Sequence, residues 1–209
     1  MVVRIGGSFA GSAHLPAWLD AVAALAGRIV VVPGGGPFAD AVRAAQPSMG
    51  FDDGAAHRMA LLAMEQYGAA LASLRTGWIV ASSAAGIRRV LADGKVPVWA
   101  PSRMVLCAKD VPWSWDVTSD SLAAWLAGRL GASHLLLVKH VEPDADELPV
   151  ADLAARGIVD PAFPGFLRSS GVAAFMAGPS GHAGFDSDMG SAAKIVADEA
   201  RCETRRWPK

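Results

Sequence analysis

A run of four apolar residues that leads into three glycines constrains this chain more than any other stretch. Residues 29–32 are Ile-Val-Val-Val, which is typical of a strand buried on both faces of a parallel sheet. The glycines at 34–36 leave the turn without Cβ atoms, so backbone N–H groups can converge on an anion. Pro37 suits a first helical turn, which residues 38–46 continue. The stretch predicts a strand, a turn and a helix; a phosphate cradle and a plain tight turn both remain open.

Composition narrows the class of function. The chain has 209 residues, of which 52% are hydrophobic, and a formal net charge of -1. A large core is possible, and the near-neutral charge argues against nucleic acid as the main partner. Apolar runs end well before the ~18 residues of a membrane span, so we expect no membrane partner, and the first residues show no signal-peptide pattern. Cys107 and Cys202 form no metal or disulfide pattern, which predicts a reduced, cytoplasmic setting.

Segments of strand type alternate with segments of helical spacing along the chain. Strands are expected at residues 1–5, 29–32, 78–81, 96–100, 135–138 and 172–176. Helices are expected at residues 16–26, 38–46, 53–74, 85–92, 119–130, 150–156 and 191–199. This alternation predicts an α/β fold, a three-layer sandwich whose central sheet is mainly parallel and covered on both faces.

Three polar or glycine-rich segments follow predicted strands, at residues 6–8, 34–36 and 116–120. In open parallel sheets ligands bind beyond the carboxyl ends of the strands, so two adjacent glycine loops would hold two neighbouring phosphoryl groups. The third segment leads into a predicted helix, whose N-terminus Thr118 or Ser119 is predicted to cap. Asp120 lies in its first turn, where a carboxylate favours the helix dipole. A capping and a catalytic role for Asp120 both stay open.

The order of these motifs resembles the amino acid kinase superfamily, which includes the acetylglutamate, aspartate and uridylate kinases. The resemblance rests on Val-Val-Arg-Ile-Gly-Gly-Ser at 2–8, Val-Pro-Gly-Gly-Gly-Pro-Phe-Ala-Asp at 32–40 and Trp-Asp-Val-Thr-Ser-Asp-Ser at 115–121. The last run, with Gly-Ile-Val-Asp at 157–160, is most similar to the branch that phosphorylates an aminomethylfuran phosphate in methanofuran and methylofuran synthesis. The similarity extends over roughly residues 1–178 in order and spacing.

The resemblance implies ATP-dependent transfer of a phosphoryl group onto a phosphate or carboxylate oxygen of a small phosphorylated acceptor. For the aminomethylfuran branch the product is a diphosphate. Mg²⁺ would arrive on the ATP, so no protein metal site is predicted. The resemblance also implies one domain over residues 1–209, with an acceptor-binding lobe at 1–115 and a nucleotide-binding lobe at 116–209. Relatives often form symmetric oligomers, so a homo-oligomer is expected.

Family position assigns the site residues. Those expected to hold phosphates are Gly6, Gly7, Ser8, Gly34, Gly35 and Gly36. Arg4 and Asp120 would be catalytic, with Asp120 organising the cations around the phosphates. Those expected to face the acceptor are Asp40, Trp115, Asp116 and Thr118. Trp113 and Trp115 would cover a flat ring, and an ordinary core or lid role for them stays open. Those expected to grip the nucleotide are Lys139, His140, Val141 and Glu142.

Two departures from the family pattern bear on catalysis. Arg4 stands where the family usually has lysine, and arginine is a fixed fork rather than a compact ammonium. The family's second lysine has no counterpart near residues 157–161, which leaves Lys139 or Arg168 as substitute cations. A kinase for an amino acid carboxylate or a nucleoside monophosphate, and a non-catalytic nucleotide or oxyanion binder, therefore stay open as alternatives.

His57 lies near the start of the long helical segment at 53–74. No second histidine stands at metal-binding spacing from it. The sequence therefore predicts an ordinary histidine, either exposed or satisfied by its neighbours.

Overall fold

The computed structural model describes residues 1–185, 189 and 192–197. Its strands are β1 (Val2–Ile5), β2 (Val30–Pro33), β3 (Trp78–Ala81), β4 (Val96–Trp99), β5 (His134–Val138), β6 (Glu147–Pro149), β7 (Ala173–Ala177) and β8 (Ala193–Val196). Its α-helices are α1 (Leu15–Ala23), α2 (Gly36–Met49), α3 (Asp53–Ser73), α4 (Ala84–Ala92), α5 (Ser102–Val105), α6 (Ser119–Leu130), α7 (Val150–Ala155) and α8 (Phe163–Ser170). Most predicted elements are present, with bounds that differ from the predicted ones by no more than three residues.

The strands form one sheet in the order β3-β4-β2-β1-β5-β7-β8-β6. All of its pairings are parallel except that between β7 and β8. In the register of the three central strands, Ile5 lies opposite Pro33 on one side and Val138 on the other. The segments that follow β1, β2 and β5 therefore leave the sheet at the same edge, where the predicted site residues stand. The predicted α/β class with a mainly parallel sheet is confirmed.

Side-chain alternation divides the core into two apolar layers. Val30 and Val32 pack in the layer that contains α6, whereas Ile29 and Val31 pack in the layer that contains α1. All four side chains are almost fully buried. The continuous apolar run at 29–32 is thus explained by a central strand with helices on both faces.

The structure corrects the prediction at the end of the described chain. Residues 193–196 form strand β8 instead of part of a helix, because buried Ala193 and Ile195 alternate with exposed Lys194. Ile195 pairs with Ala174 of β7. The rest of the predicted helix, at 191 and 198–199, lies outside the described residues.

Two helices and one strand are additional to the prediction. Helix α8 is not obvious from its sequence because it contains Pro164 and Gly165, but proline is tolerated in a first helical turn. Helix α5 and strand β6 are short elements, of four and three residues, that carry no clear sequence signal. Across the described ranges, no helix is both long enough and apolar enough to cross a membrane.

Candidate active site

The loops after β1 and β2 touch through their backbones. A Cβ built on Gly7 would lie 2.3 Å from the Gly36 nitrogen, and one built on Gly34 would lie 2.4 Å from the Gly7 nitrogen. The Gly34 N–H donates to the Ile5 carbonyl at 2.9 Å, which holds the second loop beside the first. Helix α2 begins at Gly36, so its N-terminus opens at this contact. A pair of bare turns beside a helix N-terminus is well suited to neighbouring phosphates.

Gly7→Ala is expected to separate the two loops, because its methyl group would overlap the Gly36 backbone, which no side-chain movement relieves. Overpacking of this kind costs about 1–3 kcal/mol of unfolding free energy. The separated loops would misplace the bound phosphates, which should lower kcat/KM for the expected phosphoryl transfer by about 100-fold. Urea unfolding and steady-state kinetics measure the two effects.

Gly165→Ala is the matched control, since nothing lies within 4 Å of its added Cβ. It should leave activity intact. Equal behaviour of the two variants would show that the loops tolerate a side chain and are not closely apposed.

Arg4, Asp120 and Lys139 form a charged cluster beside these loops. Arg4 is on β1, Asp120 is in the first turn of α6, and Lys139 follows β5. The Arg4 Nε lies 3.0 Å from Asp120 Oδ1, and the Lys139 Nζ donates to Asp120 Oδ2 at 2.6 Å. Arg4 also donates to the Ser119 Oγ from Nε at 3.1 Å and from Nη2 at 2.8 Å. One buried carboxylate thus holds two cations, one from β1 and one from the residue that follows the neighbouring strand β5.

The cluster shifts the pKa values of its members. Burial by itself would raise the pKa of Asp120. The charges of Arg4 and Lys139 lower this pKa by more than burial raises it, so the carboxylate is ionised. Burial and the nearby Arg4 lower the pKa of Lys139 to about 8, although Asp120 opposes the shift. Lys139 therefore lies close enough to neutrality to lose its charge within the pH range of ordinary assays.

Asp160 positions the start of α6 from outside that helix. Its Oδ2 accepts hydrogen bonds from the backbone N–H groups of Thr118 and Ser121, each at 3.0 Å, and from the Thr118 hydroxyl at 2.8 Å. The Ser121 hydroxyl donates to Oδ1. Burial raises the pKa of Asp160, and the Asp120 charge adds to this rise. The predicted capping by a Thr118 or Ser119 side chain is wrong, because Asp160 takes that role and the Ser119 Oγ receives Arg4.

A cavity of about 480 Å³ joins the loops to the charged cluster. The predicted site residues that line it are Arg4, Gly7, Ser8, Gly35, Gly36, Asp40, Trp115, Thr118, Lys139, His140 and Val141. Most of the predicted site is therefore gathered around one space.

Six predicted site residues lie outside the cavity lining, and one of them, Trp113, is exposed and stacks on His57. Gly6 and Gly34 each precede a lining glycine, and Asp120 lies behind the two cations that it holds. Asp116 is exposed, and its carbonyl accepts a hydrogen bond from the Ala162 N–H. Glu142 accepts two hydrogen bonds from Ser180, away from the cavity. Direct contact with a ligand in the cavity is thus not supported for Asp116 and Glu142.

Arg43 and His57 are among the polar residues of the cavity lining that the motifs do not mark. Arg43 pairs with Asp40 at 3.0 Å and lies over the Trp115 ring at 4.6 Å. The three-residue spacing from Asp40 on a predicted helix was a signal for that pair. His57 is buried, only 4% exposed, and its Nε2 has no hydrogen-bond partner in the part of the chain that the structure describes. The expectation of an exposed or satisfied histidine is therefore wrong.

The described residues hold no group of three or more His, Cys, Asp or Glu side chains that fits a metal ion. By contrast, Gly7, Ser8, Gly35 and Gly36 line the cavity, where their backbone N–H groups suit a phosphate. A bound metal would therefore need ligands from the phosphates it accompanies.

The sequence model of the amino acid kinase family matches residues 1–146. The chain belongs to this family. It is 26% identical over 187 residues to [5-(aminomethyl)furan-3-yl]methyl phosphate kinase from Methanocaldococcus jannaschii, a similarity that covers 84% of this chain and 86% of that protein. The family resemblance and the enzyme class inferred from the motifs, a phosphotransferase (kinase), are confirmed.

Solved structures share the fold at low sequence identity. Uridylate kinase from Archaeoglobus fulgidus is 17% identical with a TM-score of 0.68, covering 94% of this chain and 99% of that one. UMP kinase from Ureaplasma parvum is 15% identical with a TM-score of 0.63, covering 95% and 98%. Aspartate kinase from Synechocystis is 17% identical with a TM-score of 0.65, covering 96% of this chain and 40% of that one. These likenesses confirm the amino acid kinase fold.

Proposed function

We propose that this kinase uses ATP to phosphorylate the phosphate of an aminomethylfuran phosphate, which yields a diphosphate for a methanofuran or methylofuran type of cofactor. The observation that carries the proposal is the cavity in which Arg4 and Lys139, held by one carboxylate, stand beside two touching glycine loops. The name of the Methanocaldococcus jannaschii relative supports the choice of acceptor. A non-bridging oxygen of the acceptor phosphate would attack the γ-phosphorus, and ADP would leave.

The residues of the cavity divide this task between them. Gly7 and Ser8 hold the transferring phosphoryl group, while the N–H groups of Gly35 and Gly36 hold the acceptor phosphate. Arg4 and Lys139 stabilise the charge that spreads over the phosphoryl oxygens in the transition state. Magnesium bound to the ATP supplies further charge neutralisation.

Lys139 is the substitute for the family's missing second lysine. It lines the cavity together with Arg4, whereas Arg168, the other sequence candidate, lies on α8 outside the cavity lining. The nucleotide then extends from Lys139 toward His140 and Val141, which line the same cavity. This arrangement is consistent with an acceptor lobe at 1–115 and a nucleotide lobe at 116–209.

The alternatives make different demands on the same cavity. A non-catalytic oxyanion binder needs one anion loop, so two loops and two buried cations favour transfer. A nucleoside monophosphate acceptor is supported by the shared fold of the uridylate kinases, and an amino acid carboxylate by that of aspartate kinase. The cytoplasmic setting stays a prediction, as does a homo-oligomer, which light scattering would test.

An acceptor panel tests the proposal. The purified protein is given ATP and Mg²⁺ with the aminomethylfuran phosphate, UMP, aspartate or acetylglutamate, and ADP release is coupled to NADH oxidation. We expect kcat/KM to be highest for the furan phosphate, with a diphosphate as product. Faster turnover of another acceptor would replace the furan phosphate as the proposed substrate. ATP binding without transfer to any acceptor would favour a non-catalytic binding protein.

The rate should fall on the alkaline side as Lys139 loses its proton. The pKa of Lys139 is about 8 in the free protein. Above that value kcat/KM for ATP should decrease by about tenfold per pH unit, because this parameter reports the free enzyme. The alkaline decline of kcat should begin at a higher pH than that of kcat/KM, since bound phosphates favour the charged ammonium of Lys139.

Lys139→Arg is the matched control for this limb. Arginine stays charged throughout the range, so the residual activity of the variant should lack the alkaline decline. A wild-type limb that persists in this variant would assign the titration to another group.

A further inference from the structure

We propose that His57 reads the amine end of the acceptor, with its Nε2 accepting a hydrogen bond from the acceptor's ammonium group. The inference rests on the proposed function, because it assigns a residue to one end of that acceptor. It goes beyond it in naming a specificity-determining side chain that no family motif marks.

The first support is the unmet hydrogen-bonding capacity of His57. The residue is 4% exposed and forms part of the cavity wall, and its Nε2 has no partner among the described residues. Buried polar atoms of proteins are nearly always paired, and those left alone call for an explanation such as a ligand. Because His57 lines the cavity that contains the phosphate loops, a bound acceptor is a natural partner for this nitrogen.

The second support is the tautomer of the ring. Burial lowers the pKa of His57, and a hydrogen bond to the backbone of Ser114 only partly opposes the shift, so the imidazole is neutral. Since Nε2 is without a partner among the described residues, we assign the bond to the Ser114 backbone, and with it the proton, to Nδ1. The lone pair is then on Nε2, which takes a donor such as an ammonium and rejects a carboxylate. The ring plane is fixed by a stack with Trp113, at 11° between planes and 6.1 Å between centroids.

The third support is the apolar wall beside His57. Leu61 and Met64, on the same helix, line the cavity with Val117 and Leu122. These side chains suit a flat ring such as furan but offer no partner for a charged group. Asp40, the acidic residue of the lining, is already paired with Arg43. His57 therefore offers a buried hydrogen-bond acceptor, with no partner among the described residues, beside this apolar wall.

The test compares two acceptors in three proteins. The acceptors are the aminomethylfuran phosphate and an analogue with methyl in place of aminomethyl; the variants are His57→Phe and His57→Gln. Phenylalanine keeps a ring to stack on Trp113 but accepts no hydrogen bond, whereas the glutamine Oε1 can replace Nε2. We expect His57→Phe to lower the ratio of kcat/KM for amine over methyl by about 10- to 100-fold, the effect of one charged hydrogen bond. The loss should appear mainly in KM, and His57→Gln should restore most of the ratio.

His134→Phe is the matched control, since His134 begins β5 at the opposite end from the cavity and should keep the wild-type ratio. If wild type phosphorylates the furan acceptor and His57→Phe keeps the wild-type ratio, the inference is overturned and the proposed function stands. If no acceptor is phosphorylated, the role of His57 is tested instead by measuring the binding of the aminomethyl and methyl compounds by calorimetry. Tighter binding of the amine that His57→Phe abolishes would support the inference, and equal binding of both would reject it.

Discussion

Asp120→Asn is expected to lower kcat by about 100- to 1,000-fold, the usual cost of disrupting preorganised transition-state charge. Asparagine keeps the shape of the side chain but removes the negative charge that holds Arg4 and Lys139. The two buried cations would then repel each other. Breaking a buried pair in this way costs about 3–5 kcal/mol, so the unfolding free energy should also fall. A coupled ADP assay and urea unfolding measure both effects.

The same substitution has a signature in the pH profile. Asp120 raises the pKa of Lys139, against burial and Arg4, which lower it. Its removal should therefore move the alkaline limb of kcat/KM to lower pH.

Asp110→Asn is the matched control, because its carboxylate pairs with Arg129 at the surface, where ion pairs contribute about 0–1 kcal/mol. If Asp120→Asn kept the wild-type kcat, the carboxylate would have only a structural role at the start of α6.

Arg4→Met is expected to reduce kcat by about 1,000-fold with a smaller change in KM for ATP, because the guanidinium acts mainly on charge in the transition state. Arg4 lines the cavity and contacts both Asp120 and Ser119. Methionine fills a similar volume without the charge, and the loss of a cation also leaves Asp120 with one partner fewer. Initial rates at saturating and limiting ATP separate the two parameters.

Arg4→Lys separates the effect of the positive charge on the rate from the effect of the planar guanidinium group. Lysine is the usual family residue at this position, but it cannot reproduce the two hydrogen bonds that Arg4 donates to the Ser119 Oγ. We expect an intermediate rate, about tenfold below wild type. Arg129→Met, which removes a surface arginine, should leave kcat unchanged. Equal rates for Arg4→Met and wild type would exclude Arg4 from the chemistry.

The local part of the site could be predicted from sequence because each element carries its own signal. The apolar run at 29–32 and the glycines at 34–36 indicate a buried strand and a bare turn, and α6 has the bounds expected from its spacing. Parallel pairing then brings the ends of β1, β2 and β5 to one edge. The meeting of the two glycine loops follows from these facts.

The partners of the charged residues could not be predicted because they come from distant parts of the chain. Arg4 reaches Ser119 across 115 positions, and Asp160 holds Ser121 across 39. Lys139 was assigned to the nucleotide, since nothing near it in sequence indicates an ion pair with Asp120. No periodicity distinguishes a buried His57, whose Nε2 has no hydrogen-bond partner among the described residues, from an exposed one. Such side-chain networks depend on packing between elements, which local patterns do not encode.

A crystal structure with a non-hydrolysable ATP analogue, Mg²⁺ and the furan phosphate tests the central claim most directly. We expect the γ-phosphoryl group to lie between the loops of Gly7 and Gly35, with Arg4 Nη and Lys139 Nζ about 3 Å from its oxygens. The acceptor phosphate should lie on the Gly35 and Gly36 N–H groups. A γ-phosphoryl group bound elsewhere, or out of reach of both Arg4 and Lys139, would contradict the account.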